Sequence, residues 1–370
     1  MNLLTSWFRR TFADPQVVIL GIVLLVVSAV VIGLGSMLAP VFASIVIAYL
    51  LEAVVLRLER LGLPRLPAVL LVFILFLASL FFLLFGLVPM LSRQLTQLVQ
   101  AIPNYITQGQ DLLLQLPQRY PQMVSEQQVE QMISTVGNEL ATVGQQFLTW
   151  SLSSVGNVVG LLVLLVLIPV LVFFMLKDKQ LLIDWFKGYL PAERHLVSTV
   201  WTDVEAQIAN YVRGKAGEIV IVGAVSYVTF VSLGLQYAAL LATMVGFSVL
   251  IPYIGAAVVT LPIAFVAYFQ WGWNWYFGQV MIAYAIIQAI DGNVLVPLLF
   301  SEALDLHPVA IIVAIIVFGG LWGFWGIFFA IPLATVVAAV LKAWPRANKN
   351  DDENKDSPET AESNSTAANS

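Results

Sequence analysis

Cysteine is missing from the 370 residues, and histidine occurs only as His195 and His307. The first absence excludes disulfides, thiolate metal sites and a cysteine nucleophile. The second leaves too few imidazoles for a zinc site, and no H-E-x-x-H motif occurs. There is no G-x-x-x-x-G-K-S/T loop, so the chain carries no nucleotide-driven pump module. Charge is scarce too: 11% of residues, against 60% hydrophobic, where soluble domains carry about 25%. The 17 basic and 22 acidic residues, with much of the acid in the tail, argue against a nucleic-acid partner. Residue-level signs of an enzyme are also absent. Intramembrane aspartyl proteolysis needs two carboxylates and only Asp291 qualifies, while Ser226 and Ser248 have no histidine nearby to act as base. No cofactor and no metal site is expected.

What the sequence has instead is long uncharged stretches. No Asp, Glu, Lys or Arg occurs from Gln16 to Leu51, Leu66 to Ser92, Leu140 to Leu176 or Leu306 to Leu341, nor in the 72 residues Ile219 to Ile290. About 20 apolar residues suffice to cross the hydrocarbon. The fold class is therefore an all-α integral membrane protein. About eight spans are expected, at 16–35, 37–56, 66–91, 152–176, 216–234, 237–269, 275–299 and 308–341. The span 237–269 carries Pro252, Gly255 and Pro262, and reads either as one kinked passage or as two half-length pieces in a re-entrant hairpin. Arg9 and Arg10 resemble the opening of a signal peptide, but the apolar stretch behind them is too long, which predicts an uncleaved first helix.

Lys and Arg cluster before the first span and in alternate loops: Arg9 and Arg10; Arg57, Arg60 and Arg65; Lys177, Lys179, Lys187, Arg194, Arg213 and Lys215; Lys342, Arg346 and Lys349. All fall on one side if both termini are cytoplasmic. Trp271, Trp273, Trp275 and Tyr276 then form an aromatic belt at the opposite interface. The expected organisation is spans one to three in 1–92, an external amphipathic helical hairpin in 93–150, span four in 151–176, cytoplasmic amphipathic helices in 177–215, spans five to eight as a core transport region in 216–345, and a disordered tail in 346–370.

Asp291 is the first residue that could carry chemistry. It ends the uncharged run within Gln288-Ala289-Ile290-Asp291-Gly292-Asn293, ahead of Pro297. A carboxylate within an apolar span faces a cavity, a partner or an ion path; the alternative is a carboxylate near the outer interface, bonded to Asn293 or a neighbouring helix. Pro252 removes a backbone donor and Gly255 permits an unusual turn, marking a broken helix of the kind that lines a wet cavity or holds ions. Asp291, Asn293, Gln288, Pro252 and Gly255 are thus the expected transport path. Glu302, Asp305 and His307 could relay protons, although capping of a helix with Pro308 in its first turn is the plainer role for Asp305 or His307. Gly319 and Gly323, in G-x-x-x-G spacing, are expected to let helices pack closely, and Pro297 and Pro308 to act as hinges. Glu218, at the mouth of span five, and Lys177-Asp178, just after span four, read as interface ends that snorkel or pair, and Arg213 and Lys215 as orientation signals rather than ligands.

Taken in order, these segments have a family character. Pro169-Val-Leu-Val-Phe173-Phe174-Met-Leu-Lys177-Asp178, Leu190-Pro191, Tyr211-Val-Arg213-Gly214, Ile251-Pro252-Tyr253-Ile254-Gly255, Asp291-Gly-Asn293-Val-Leu-Val-Pro297, Leu306-His307-Pro308 and Ala330-Ile331-Pro332 together resemble the AI-2E family of bacterial permease-like proteins. Lys215 departs from the family pattern, where Gln often follows the Arg-Gly pair. The resemblance implies an eight-span inner-membrane transporter that assembles as a homo-oligomer and exports a small polar solute such as autoinducer-2. Other members are described as Na⁺(Li⁺)/H⁺ antiporters, which would make Asp291 the shared site for proton and cation. A third reading is a membrane scaffold whose external hairpin and packing are the function.

Overall fold

A computed structural model describes residues 15–114, Gln131, Ser134, 158–188, 195–252, 254–300 and 307–343. Every element among these residues is helical. In hydrocarbon no water can satisfy backbone N–H and C=O groups, so a spanning chain meets them within its own helix.

The chain begins with α1 (Pro15–Arg60), which runs unbroken through the point where two spans were expected to meet between residues 35 and 37. Pro40 is carried inside it, and the Ser44 hydroxyl turns back to donate to the Pro40 carbonyl at 2.7 Å. Next, α2 (Arg65–Phe82) passes through a π turn (Leu83–Leu87) into α3 (Val88–Leu114). At that turn the Val88 N–H reaches five residues back to the Leu83 carbonyl. The first half of the expected external hairpin is thus a continuation of the third span. It is amphipathic, and it packs Tyr105 between Phe265 and Phe269, with ring centroids 5.5 and 4.9 Å away. The second half of the hairpin falls outside the described residues.

After α4 (Val158–Lys177) and the short α5 (Lys179–Gly188), α6 (His195–Ser232) joins the expected cytoplasmic helix and span five into one 38-residue rod, about 57 Å long. The expected span 237–269 is two helices, α7 (Ala238–Ser248) and α8 (Ile254–Trp271). They form a hairpin, because the Gln270 side chain clamps the far end. Its Oε1 accepts the Gln236 N–H and its Nε2 donates to the Gly234 carbonyl, both at 2.8 Å. The chain then returns through α9 (Trp275–Ile290), a second π turn (Asp291–Leu295) and α10 (Val296–Phe300).

The expected last span, 308–341, also does not cross as one helix. It breaks into α11 (Pro308–Trp322), α12 (Phe324–Phe328) and α13 (Ala330–Ala343). Gly323 sits at φ +59°, a backbone conformation that L side chains rarely adopt, and the chain doubles back there. A Cβ on Gly319 would lie 2.9 Å from Ile327, so this glycine does allow close packing, but within one hairpin rather than between separate spans.

Ion pairs fix which ends lie together. Glu52 near the end of α1 accepts Arg65 at 3.4 Å and Lys179 at 3.2 Å, and Arg65 also donates to the Leu176 carbonyl at 2.9 Å. Tyr49 donates to Glu205 of α6 at 3.0 Å. The basic residues between α1 and α2 and those after α4 therefore share one end of the molecule with Glu205 of α6. Trp273, Trp275 and Tyr276, between α8 and α9, are 83%, 71% and 56% exposed and lie at the other end. Among the described residues five helices are long and apolar enough to cross a membrane, α8 being one by length and composition. Their outward faces, such as Ile74, Leu75, Phe81 and Phe82 on α2, remain bare hydrocarbon, as lipid contact requires. This is a multi-pass helical membrane protein.

Candidate functional site

Two residues expected at the headgroups are instead interior. Lys215 is 5% and Glu218 2% exposed. They stand one turn apart on α6, and the Lys215 ammonium donates to Glu218 Oε2 at 2.7 Å. The same nitrogen donates to the Val249 carbonyl at 2.8 Å. Val249 is the first residue past α7, so this carbonyl lies at the negative end of a half-length helix. Snorkelling fails here because the tip of the first hairpin and α10 cover the place where the side chain would leave the protein. The Phe300 ring of α10 sits 5.2 Å beneath the ammonium.

Asp291 belongs to the same cluster. It is 9% exposed and within electrostatic range of both Lys215 and Glu218. Its Oδ1 is buried without a hydrogen-bond partner, as is the Nε2 of Gln288 one turn earlier on α9. Asp291 opens the second π turn, in which the Val296 N–H skips to the Asp291 carbonyl. Such turns are frequent at functional sites because they shift the phase of the following side chains. Glu218 and Asp291 bound the 72-residue uncharged run on either side, and folding brings both ends of that run back to one place.

The remaining expected path residues separate. Gly255 is buried against the first hairpin's tip, where a Cβ would overlap the Ser248 carbonyl group. Only glycine closes this turn. Pro252 lies in the tip itself, half-buried. Asn293 does not join the cluster: it is exposed and donates to the Ala289 carbonyl of its own helix at 2.8 Å. Pro297 is exposed on α10. His307 caps α11, its Nδ1 accepting the Val309 N–H at 3.3 Å with Pro308 in the first turn. Glu302 and Asp305 lie outside the described residues. No set of three His, Cys, Asp or Glu among the described residues could hold a metal ion.

Both hairpin tips meet α6 close to the charges. Tyr211, one turn before Lys215, packs its ring 5.8 Å from Phe300 and 6.3 Å from Phe328 at the second tip, and Ile251 of the first tip joins the same apolar cluster. The site thus holds one cation and two carboxyl groups, walled by aromatic rings, where two broken helices converge on a continuous one. Sequence reasoning missed Lys215 and Glu218, although their i,i+3 spacing at the border of the uncharged run was a signal.

Charges sunk in an apolar bundle at broken helices are the build of a membrane transporter. Comparison with known proteins agrees. Residues 17–346 match the family described as "AI-2E family transporter". PerM of Escherichia coli (strain K12), named as a permease, is 42% identical over 93% of this chain and 98% of its own. YueF of Bacillus subtilis (strain 168), named as a transport protein, is 27% identical over 84% of each chain. TqsA of Escherichia coli (strain K12), named "AI-2 transport protein", is 23% identical over 88% of this chain and 91% of its own. The chain belongs to the AI-2E transporter family.

Proposed function

We propose that this chain is a permease that passes a small polar solute across the bacterial inner membrane, with Lys215, Glu218, Asp291 and Gln288 lining the path. The observation that carries this reading is Asp291 Oδ1 and Gln288 Nε2, two buried polar atoms with no partner in the protein, beside an ion pair at the tip of a broken helix. Buried polar groups left unpaired are unfavourable, and a polar solute with hydroxyl and carbonyl groups supplies what they lack. Positive-inside asymmetry supports a cytoplasmic location for the end that carries Arg65, Lys179 and Glu205. Autoinducer-2, the cargo in the name of TqsA, is the first solute to try.

The test is uptake of autoinducer-2 into inverted proteoliposomes containing the purified protein. Saturable uptake is expected, falling at least about tenfold in Asp291→Asn and Gln288→Leu, since one hydrogen bond involving a charged group contributes about 1.5–3 kcal/mol. Uptake no faster than in empty liposomes, for this and other small polyols, would reject the reading and leave a structural role for the fold.

A further inference from the structure

The surroundings of the Lys215 ammonium are those of a bound metal cation. Its partners are a carboxylate oxygen of Glu218 at 2.7 Å and the Val249 carbonyl at 2.8 Å. The Phe300 ring face lies at 5.2 Å, and the Asp291 carboxyl group, more than nine-tenths buried, is in electrostatic range with one oxygen unused. Carbonyls at the ends of half-length helices, together with a buried carboxylate, are the donors with which broken-helix transporters hold Na⁺. Here the Glu218 oxygen and the Val249 carbonyl converge on a nitrogen that belongs to the protein, with Asp291 beyond direct contact. An ammonium can donate to three acceptors, two of which are present here, and its positive charge offsets that of one buried carboxylate. It also ties the first hairpin's tip to α6 through Val249.

We propose that Lys215 is a built-in substitute for a coordinated monovalent cation, so that this chain holds its first hairpin closed without Na⁺, and that removing the amine creates a site that Na⁺ fills. The chemistry has two consequences. Wild-type protein gains nothing from Na⁺ over an organic cation too large to enter the cluster. A variant with a small polar side chain at 215 exposes the Glu218 carboxylate and the Val249 carbonyl as ligands for a small cation, with the Asp291 charge nearby, and becomes dependent on it.

The experiment compares the thermal unfolding of full-length protein in detergent in NaCl and in an equal concentration of choline chloride. Wild type and Lys215→Arg are expected to melt at the same temperature in both salts. Lys215→Ser is expected to melt lower in choline chloride and to recover by about 1.5 °C or more in NaCl, the shift expected from binding worth a little over 1 kcal/mol in a chain of this size. Adding Glu218→Gln to Lys215→Ser removes the recovery, and methylammonium chloride restores it in the single variant. The proposal is overturned if wild type gains as much from NaCl as Lys215→Ser does. It is equally overturned if Lys215→Ser ignores NaCl, or is monodisperse in neither salt. Only a parallel flux readout, in which autoinducer-2 uptake becomes Na⁺-dependent in Lys215→Ser, rests on the solute-transport reading. A wild type that moves no autoinducer-2 rejects that reading and leaves the melting result standing.

Discussion

Burying Lys215 and Glu218 together strips two charges of water, and their attraction offsets that loss only because the geometry is good. Removing one partner leaves the other charge stranded. Lys215→Met is therefore expected to lower stability by about 3–5 kcal/mol in Na⁺-free buffer, seen as an earlier melting transition in detergent. The double variant Lys215→Met/Glu218→Leu, apolar and of similar volume, is expected to recover most of that loss while transporting nothing. A double variant that melts as early as the single one would show that the pair is required for packing itself. Gly255 sets a second residue-scale test. Gly255→Ala places a methyl on the Ser248 backbone, where no side-chain rotamer can yield. A loss beyond about 4 kcal/mol is expected, visible as the absence of monodisperse protein on size exclusion.

Among the elements, α9 shows how local chemistry sets the site's register. Asn274 caps it, its Oδ1 accepting the Tyr276 and Phe277 N–H groups at 2.9 and 3.3 Å. This fixes where the helix starts, and hence where Asp291 arrives, about 24 Å further along. Asn274→Ala is expected to lower stability by about 1 kcal/mol and Asn274→Ser by much less, both read by thermal unfolding. The π turn then rotates the residues beyond it. Gln288 and Asp291 share the buried face, whereas Asn293, equally close in sequence, is turned outward. Proximity to Asp291 along the chain cannot separate these two; the helical phase does. The hairpins teach a similar lesson. Pro252, Gly255 and Gly323 mark the breaks in the sequence, but a break shows only that the helix stops. Whether the chain continues outward or folds back is decided by contacts such as Gln270 to Gly234 and Gln236, which are distant in sequence.

For the whole molecule, the ends of the bundle can be assigned by chemistry. Because the chain has no cysteine, each single-cysteine variant reports one position. Leu61, 78% exposed beside the Glu52–Arg65–Lys179 network, and Trp273, 83% exposed in the aromatic belt, stand at opposite ends. Trp273→Cys is expected to react with a membrane-impermeant maleimide in intact cells, and Leu61→Cys only after the cells are opened. Labelling of both from outside would overturn the placement. The same architecture explains why α6 dominates the core: it runs past both hairpin tips, α9 and α10, so a change in either hairpin reaches the buried charges directly.

The sequence by itself determined that most of this chain lies in lipid, because charge-free runs of such length have no other stable environment. It also marked the break within 237–269 and singled out Asp291 as out of place in an apolar run. Tertiary structure alone decided that the last span folds back, that the first two expected spans are one helix, and that Lys215 and Glu218 are interior. The physical reason is that a charge near the end of a span reads the same whether water or protein covers it. Coverage comes from Val249, Phe300 and Asp291, residues 34 to 85 positions away in the chain, which only the folded bundle brings together.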